Sequence, residues 1–395
     1  MNQDVWITGI GIVSSLGEGI DQHWQALTSG ARPVLDRETI PPFAIHPMVE
    51  LDLSKQIPKR GDQRQMEPWQ RLGVYAAGLA IDDAGARDPD LLESMDMIIA
   101  AGGGERDIAV DNQILTELLS TNDAVRTLIE RLSNDLRPTL FLAQLPNLVA
   151  GNISIVHGVR GSSRTFMGEE AAGFDAVRNA HARIAAGQSR ICLVGGSLNA
   201  AREDMILLYE MGGYNWTGEE DSVWARADGN GGLRLGSMGV FLMLESADHA
   251  RARGATPVAA VRSVAADRCA REPGAITSSF GAMWQSVSGG TTPANLGIVS
   301  GATGVASQAA EELAFLRVLD APIRATATRI GHGVEAQFLA SLAFAAMCVD
   351  NAAMFAPLDT AGVEQPANDA CDNVLVTGIG HWRGEGLALV TRANI

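Results

Sequence analysis

The chain has 395 residues, with 30 basic and 46 acidic side chains and a formal charge of −16. A surface of that sign repels polyanions and excludes nucleic acid as a partner, while 46% hydrophobic against 19% charged residues excludes a disordered chain. The four cysteines, Cys192, Cys269, Cys348 and Cys371, form neither a disulfide framework nor a CxxC metal pair, which fits a reducing compartment.

At about 100–200 residues per domain, the length predicts two domains or one large duplicated unit. From Met1 the chain runs almost directly into the strand-like VWITGIGIV (5–13), without the basic and apolar segments of an export signal. Further β-branched runs follow at DMIIAAGGG (96–104), ICLVGGS (191–197), GVFLMLE (239–245), VAAVRSVAA (258–266), LGIVSGAT (296–303), NVLVTGIG (373–380) and LALVTR (387–392). Helical patterns lie between them at 69–85, 171–187, 308–319 and 335–349. This alternation predicts an α/β layered fold. The longest uncharged apolar run, Ala336 to Val349, has 14 residues. It falls short of the roughly 20 that span a bilayer and reads as a buried core helix, so a soluble, cytoplasmic protein is expected.

The opening WITGIG and closing LVTGIG are near copies, and each part of the chain carries its own strand and helix series. An internal duplication is therefore expected, with halves at 1–250 and 251–395. GIGIVSSLG matches a dinucleotide fingerprint only loosely, and no acidic residue follows at the end of a second strand. No nucleotide, and no other cofactor, is expected.

Several segments together resemble the β-ketoacyl-acyl-carrier-protein synthase family: VWITGIGIVSSLG, PNLVAGNISIVHGVRGS, HARIAAGQSRICLVGGS, GLRLGSMGVFLMLESADHARARGA, TRIGH and NVLVTGIG. The resemblance covers nearly the whole chain. It implies a thiolase-like fold of duplicated α/β halves in five α/β/α/β/α layers, dimerisation through the central region, and acyl-carrier-protein substrates. The family's chemistry requires a cysteine at the N-terminus of a buried helix, where backbone N–H groups lower the thiol pKa and form an oxyanion hole. Two histidines and a lysine complete the family's site.

Set against that pattern, the chain departs at nearly every reacting position. Counting back from GQSRICLVGG puts Glu170 at the nucleophile position, with Gly173 as the small residue three places on. Gly301 stands at the first histidine position, with Glu312 as the acidic residue downstream. Ala327 or Arg329 replaces the lysine, and only the second histidine survives, as His332. The gate motif reads Gly378, Ile379, Gly380 followed by His381 and Trp382, which implies an altered or closed pocket. A carboxylate cannot form a thioester by exchange, so condensation is expected to be absent. Glu170 is expected to accept backbone N–H bonds at its helix terminus and fill the oxyanion hole.

The pattern resembles the chain-length-factor subunits of this family, non-catalytic partners of an active synthase paralogue. Two other readings stand beside it: a Glu170/His332 acid–base pair acting as a malonyl-carrier decarboxylase or acyl thioesterase, and a homodimeric module that binds acyl chains or carrier protein. No His/Cys/Asp/Glu cluster shows metal-ligand spacing, so no metal is expected. Lys55, Lys59, Arg60 and Arg64 form the one basic cluster. It reads either as a solvated loop or as the patch that docks an acidic acyl carrier protein.

Overall fold

The computed structural model describes residues 3–136, 140–229, 231–367 and 370–394. Its strands are β1 (Val5–Ser14), β2 (Gly17–Glu18), β3 (Asp96–Ala101), β4 (Ser163–Met167), β5 (Ile191–Leu198), β6 (Met238–Ser246), β7 (Ala259–Asp267), β8 (Leu296–Ser300), β9 (Ile323–Ala325), β10 (Asn373–Ile379) and β11 (Glu385–Thr391). They form one sheet in the order β4-β3-β5-β6-β1-β7-β11-β10-β8-β9, with β2 paired to β1. Strands β1, β5 and β6 are buried along their whole length, which is why they read as continuous apolar runs and not as alternating ones.

The duplication is visible in this order. Leaving out the two-residue β2, the first half runs outward from β1 as first, fifth, fourth, second and third strand, and the second half runs outward from β7 the same way. Directions match as well: β5 and β4 are parallel to β3, β10 and β9 are parallel to β8, and the inner pairs are antiparallel. The halves join where β1 pairs with β7. Residue 250 falls inside the helix Ala247–Arg253 that links β6 to β7.

The near-copied hexapeptides are not counterparts in this scheme. WITGIG lies on a first strand, β1, whereas LVTGIG lies on a fourth strand, β10, whose counterpart is β5. Each glycine is there for close packing. A Cβ on Gly11 would sit 1.9 Å from the Ala76 carbonyl of the outer helix, and one on Gly378 would sit 2.8 Å from the Phe338 ring of the central layer.

Helices Pro68–Asp83 and Leu148–His157 cover the outer face of the first half, and Ala275–Ser288 and Ala306–Leu316 cover that of the second. Between the two sheet halves lie Glu170–Ala185 and Gln337–Asp350, the latter buried from Gln337 to Val349. These layers give the thiolase-like α/β/α/β/α arrangement. The uncharged run that the sequence marks as a core helix is the heart of the middle layer. No helix among the described residues is long and apolar enough to cross a membrane.

Candidate functional site

The first central helix begins at Glu170, directly after β4 and a two-residue turn. It can press against the other half because Gly173 has no side chain: a Cβ there would lie 2.6 Å from the Glu335 carbonyl. That contact holds the helix start beside the loop carrying His332. The loop is itself pinned, since His332 donates its backbone N–H to the Arg234 carbonyl (2.8 Å) and accepts from the Gly236 N–H (3.0 Å). The third segment is the loop after β10, which brings in His381.

These segments converge on one oxygen. Glu170 Oε1 accepts hydrogen bonds from Tyr209 Oη–H at 2.9 Å, His332 Nε2–H at 3.0 Å and His381 Nδ1–H at 2.5 Å. A carboxylate only accepts, so both imidazole nitrogens facing it carry their protons. His381 Nε2 lies 2.9 Å from Thr303 Oγ1, and the His381 carbonyl accepts from Gln308 Nε2 at 3.1 Å. Glu170 is 4% exposed, and Tyr209, His332 and His381 are buried with it. Above them Trp382 packs on Tyr209 with ring centroids 5.1 Å apart and on Tyr214 at 5.4 Å.

Burial alone would raise the Glu170 pKa, but attraction to His381 and the hydrogen bonds of both imidazoles outweigh it and hold the carboxyl well below its ordinary range. Burial lowers the His332 pKa, against the pull of Glu170. Burial, with the Glu170 charge, pushes the Tyr209 phenol well above its usual value. Two further acids, Glu335 and Glu312, are buried in the same chain. Glu335 accepts from the Gly102 N–H at 3.1 Å, Glu312 accepts from Ser300 and Thr377, and burial pushes each up to about 7.

A sequence model of the family described as "Beta-ketoacyl synthase, N-terminal domain" matches residues 2–250, more than half of the chain. The chain belongs to the β-ketoacyl synthase family. It is 28% identical over 276 residues to the 3-oxoacyl-acyl-carrier-protein synthase 2 of Rhizobium meliloti (strain 1021), a match covering 64% of this chain and 61% of that protein. It is 25% identical over 261 residues to the tetracenomycin polyketide synthase ketoacyl synthase beta subunit of Streptomyces glaucescens, covering 64% and 61%. The chain thus aligns with about three-fifths of the length of the curated relatives it matches. In fold it is similar to the ishigamide ketosynthase/chain length factor, with a TM-score of 0.81 at 18% identity over 100% of both chains. A type II polyketide ketosynthase in complex with its acyl-carrier protein gives 0.76 at 17% identity, again over 100% of both.

Against the β-ketoacyl synthase pattern, the positions read from sequence fall as follows. Glu170 does start a buried helix, but its described hydrogen bonds come from three side chains and not from backbone N–H groups, which corrects the expectation of an occupied oxyanion hole. Gly301 lies in the loop after β8, drawn tight against β10: its N–H bonds Thr377 Oγ1 at 2.8 Å, and a Cβ would come within 2.6 Å of the Thr377 carbonyl. No side chain fits there, and the imidazole of His381 bonds Thr303 in the same loop. Ala327 is buried, and Arg329 bonds the carbonyls of Ala31 and Ala356, away from Glu170.

His381, which the sequence places beside the gate, is a direct partner of Glu170. Gly378 and Ile379 close β10, and Gly380 permits the turn because a Cβ would collide with the Arg383 carbonyl at 1.9 Å. Tyr209 and Thr303 join the cluster although neither stands in a recognisable motif. The only available signal for Tyr209 was its place on the apolar face of the helix Glu203–Met211, beside Ile206. Lys55, Lys59, Arg60 and Arg64 are all exposed, and Lys55 Nζ pairs with Glu18 at 3.1 Å. The expectation of no metal centre rested on local spacing, yet the fold gathers ligand atoms of Glu170, His332 and His381 within 4.8 Å of one another.

Proposed function

We propose that this chain is the non-condensing, chain-length-factor-like partner of an active β-ketoacyl synthase paralogue, in fatty-acid or polyketide-type acyl-chain biosynthesis in the cytoplasm. The single observation that carries this reading is Glu170: an acid stands at the nucleophile position, and its buried oxygen is occupied by three donors. It cannot be acylated by thioester exchange. Removing one oxyanion donor costs about 10²–10³ in rate, and here nucleophile, first histidine and lysine are all replaced.

A partner surface supports the same reading. Strand β4 lies at one edge of the sheet and is partly exposed, with Met167 on its rim. Two helices between β3 and β4 in the chain, Ile108–Ser120 and Ala124–Asn134, expose Leu115, Leu119, Val125 and Ile129. An open strand edge and apolar residues of this number call for a cover. The exposed Lys55, Lys59, Arg60 and Arg64 would attract an acidic acyl carrier protein to a chain of charge −16.

Co-expression with a cysteine-bearing paralogue tests the proposal. Stable co-purification and a change in product length on altering this chain are expected; a persistent homodimer without effect on product favours the acyl- or carrier-binding module instead. The 3.0 Å contact between Glu170 and His332 is the observation behind a second reading, decarboxylation or thioester hydrolysis. Incubating the pure chain with malonyl- and acyl-carrier protein decides it: turnover abolished by Glu170→Ala establishes that reading, and an inert protein eliminates it.

A further inference from the structure

The chemistry of the closed site goes beyond the loss of condensation. Two imidazoles and a carboxylate from three separate segments meet in a buried cluster, each offering a ligand atom within 4.8 Å of the others. The separations along the chain, 162 residues from Glu170 to His332 and 211 to His381, show that only the tertiary fold assembles them.

One carboxylate oxygen is crowded while the other is idle. Oε1 takes three donors, whereas Oε2 of the same buried side chain has no hydrogen-bond partner among the described residues. A buried acceptor left without a partner is costly and needs an occupant. Gly380 keeps the space beside Oε2 clear, since a Cβ there would come within 3.4 Å of it.

We propose that Glu170, His332 and His381 bind a divalent first-row transition-metal ion of the zinc class, turning the vacated nucleophile position into a structural metal staple. Two nitrogen donors and a carboxylate suit zinc better than the oxygen-loving magnesium or calcium. Tetrahedral bonds of about 2.0–2.2 Å set neighbouring ligand atoms roughly 3.3–3.6 Å apart, so the 3.0 Å and 2.5 Å contacts found here widen as the ion displaces the protons. The ion takes the place of the shared protons at His332 Nε2 and His381 Nδ1, which leave to solvent on binding. Glu170 then brings Oε2 into the coordination, completing four protein donor atoms.

The surroundings are those of a ligand set held in place. Thr303 Oγ1 at 2.9 Å from His381 Nε2 orients that ring, and Tyr209 at 2.9 Å from Oε1 orients the carboxylate. With all three ligands and Tyr209 buried, the centre resembles a closed structural site and not an open catalytic one. The inference rests on this geometry and stands whether or not a paralogue partner is found.

The test uses the full chain, stripped with a chelator and titrated with Zn²⁺ against a chromophoric competitor, then with Co²⁺ followed by its visible d–d bands. One equivalent is expected, with a Co²⁺ spectrum of tetrahedral nitrogen and oxygen ligation. Glu170→Gln and His381→Ala should abolish binding, and Thr303→Val should weaken it by about 10–100-fold. The proposal is overturned if the native chain fails to bind Zn²⁺ stoichiometrically, or if both ligand variants, folded by circular dichroism, bind as tightly as the native chain. Should the variants not fold, the native Co²⁺ spectrum decides alone, and an unchanged aqueous spectrum refutes the site.

Discussion

Replacing Glu170 by alanine is the most direct probe of the buried cluster. The substitution removes the oxygen that Tyr209, His332 and His381 share, leaving three buried donors without an acceptor. Each orphaned donor costs about 1–3 kcal/mol, so the bare sum runs to roughly 3–9 kcal/mol. Water admitted to the space left by the side chain recovers part of that. The comparison with buried ion pairs broken on one side then narrows the expected loss to about 3–5 kcal/mol.

The assay is urea unfolding of the full chain at fixed protein concentration and in the presence of chelator, so that neither metal nor association contributes. Tryptophan fluorescence and circular dichroism should give coincident transitions, which licenses a single free energy. Tyr209→Phe serves as the reference, because it removes one donor and leaves an apolar ring of the same shape. It should cost less than Glu170→Ala, and the double variant should show a coupling of about 0.5–3 kcal/mol. A Glu170→Ala loss below about 1 kcal/mol, with no coupling to Tyr209, would refute the view that these side chains form one network.

Other outcomes are expected from the same geometry. Burial raises Glu312 and Glu335 from 4.5 to about 7, so each stabilises the fold most below its unfolded value and loses that contribution as pH rises through 7. The change is on the order of 3 kcal/mol per group, and Glu→Gln at either site should flatten the pH dependence of the urea midpoint. A slope that steepens instead would contradict this. Gly301→Ala places a Cβ 2.6 Å from the Thr377 carbonyl and should cost about 1–3 kcal/mol, checked by thermal unfolding against native protein. Glu170→Cys should not acquire an acyl group from acyl-carrier protein, because the site stays closed under Tyr209 and Trp382 and Gly301 supplies no imidazole; intact-mass spectrometry showing an acyl adduct would count against the closed site.

Three residues that the sequence singles out, Glu170, His332 and His381, are brought together by the fold. Counting back from GQSRICLVGG reaches the start of the first central helix, Glu170–Ala185, because the layers that helix and β5 cross constrain their lengths. His332 stood out because it lies in the TRIGH string, and its neighbour Gly331 is held against the facing segment, where a Cβ would come within 2.9 Å of Gly236 Cα. The repeated TGIG string misled as to which strands correspond. Its glycines answer to whichever side chain or backbone they touch, so the same string recurs on strands of different rank.

What composition and pattern determined alone was the class of chain: an acidic, apolar-rich α/β duplication. Periodicity and packing glycines act over short stretches, so they survive reading residue by residue. The partnership of Glu170 with His381 and Tyr209 was decided only in three dimensions. Nothing local couples a helix start, a helix face and a post-strand loop so far apart in the chain; they meet because two sheet halves trap the central helices between them and bring the ends of those elements to one buried point.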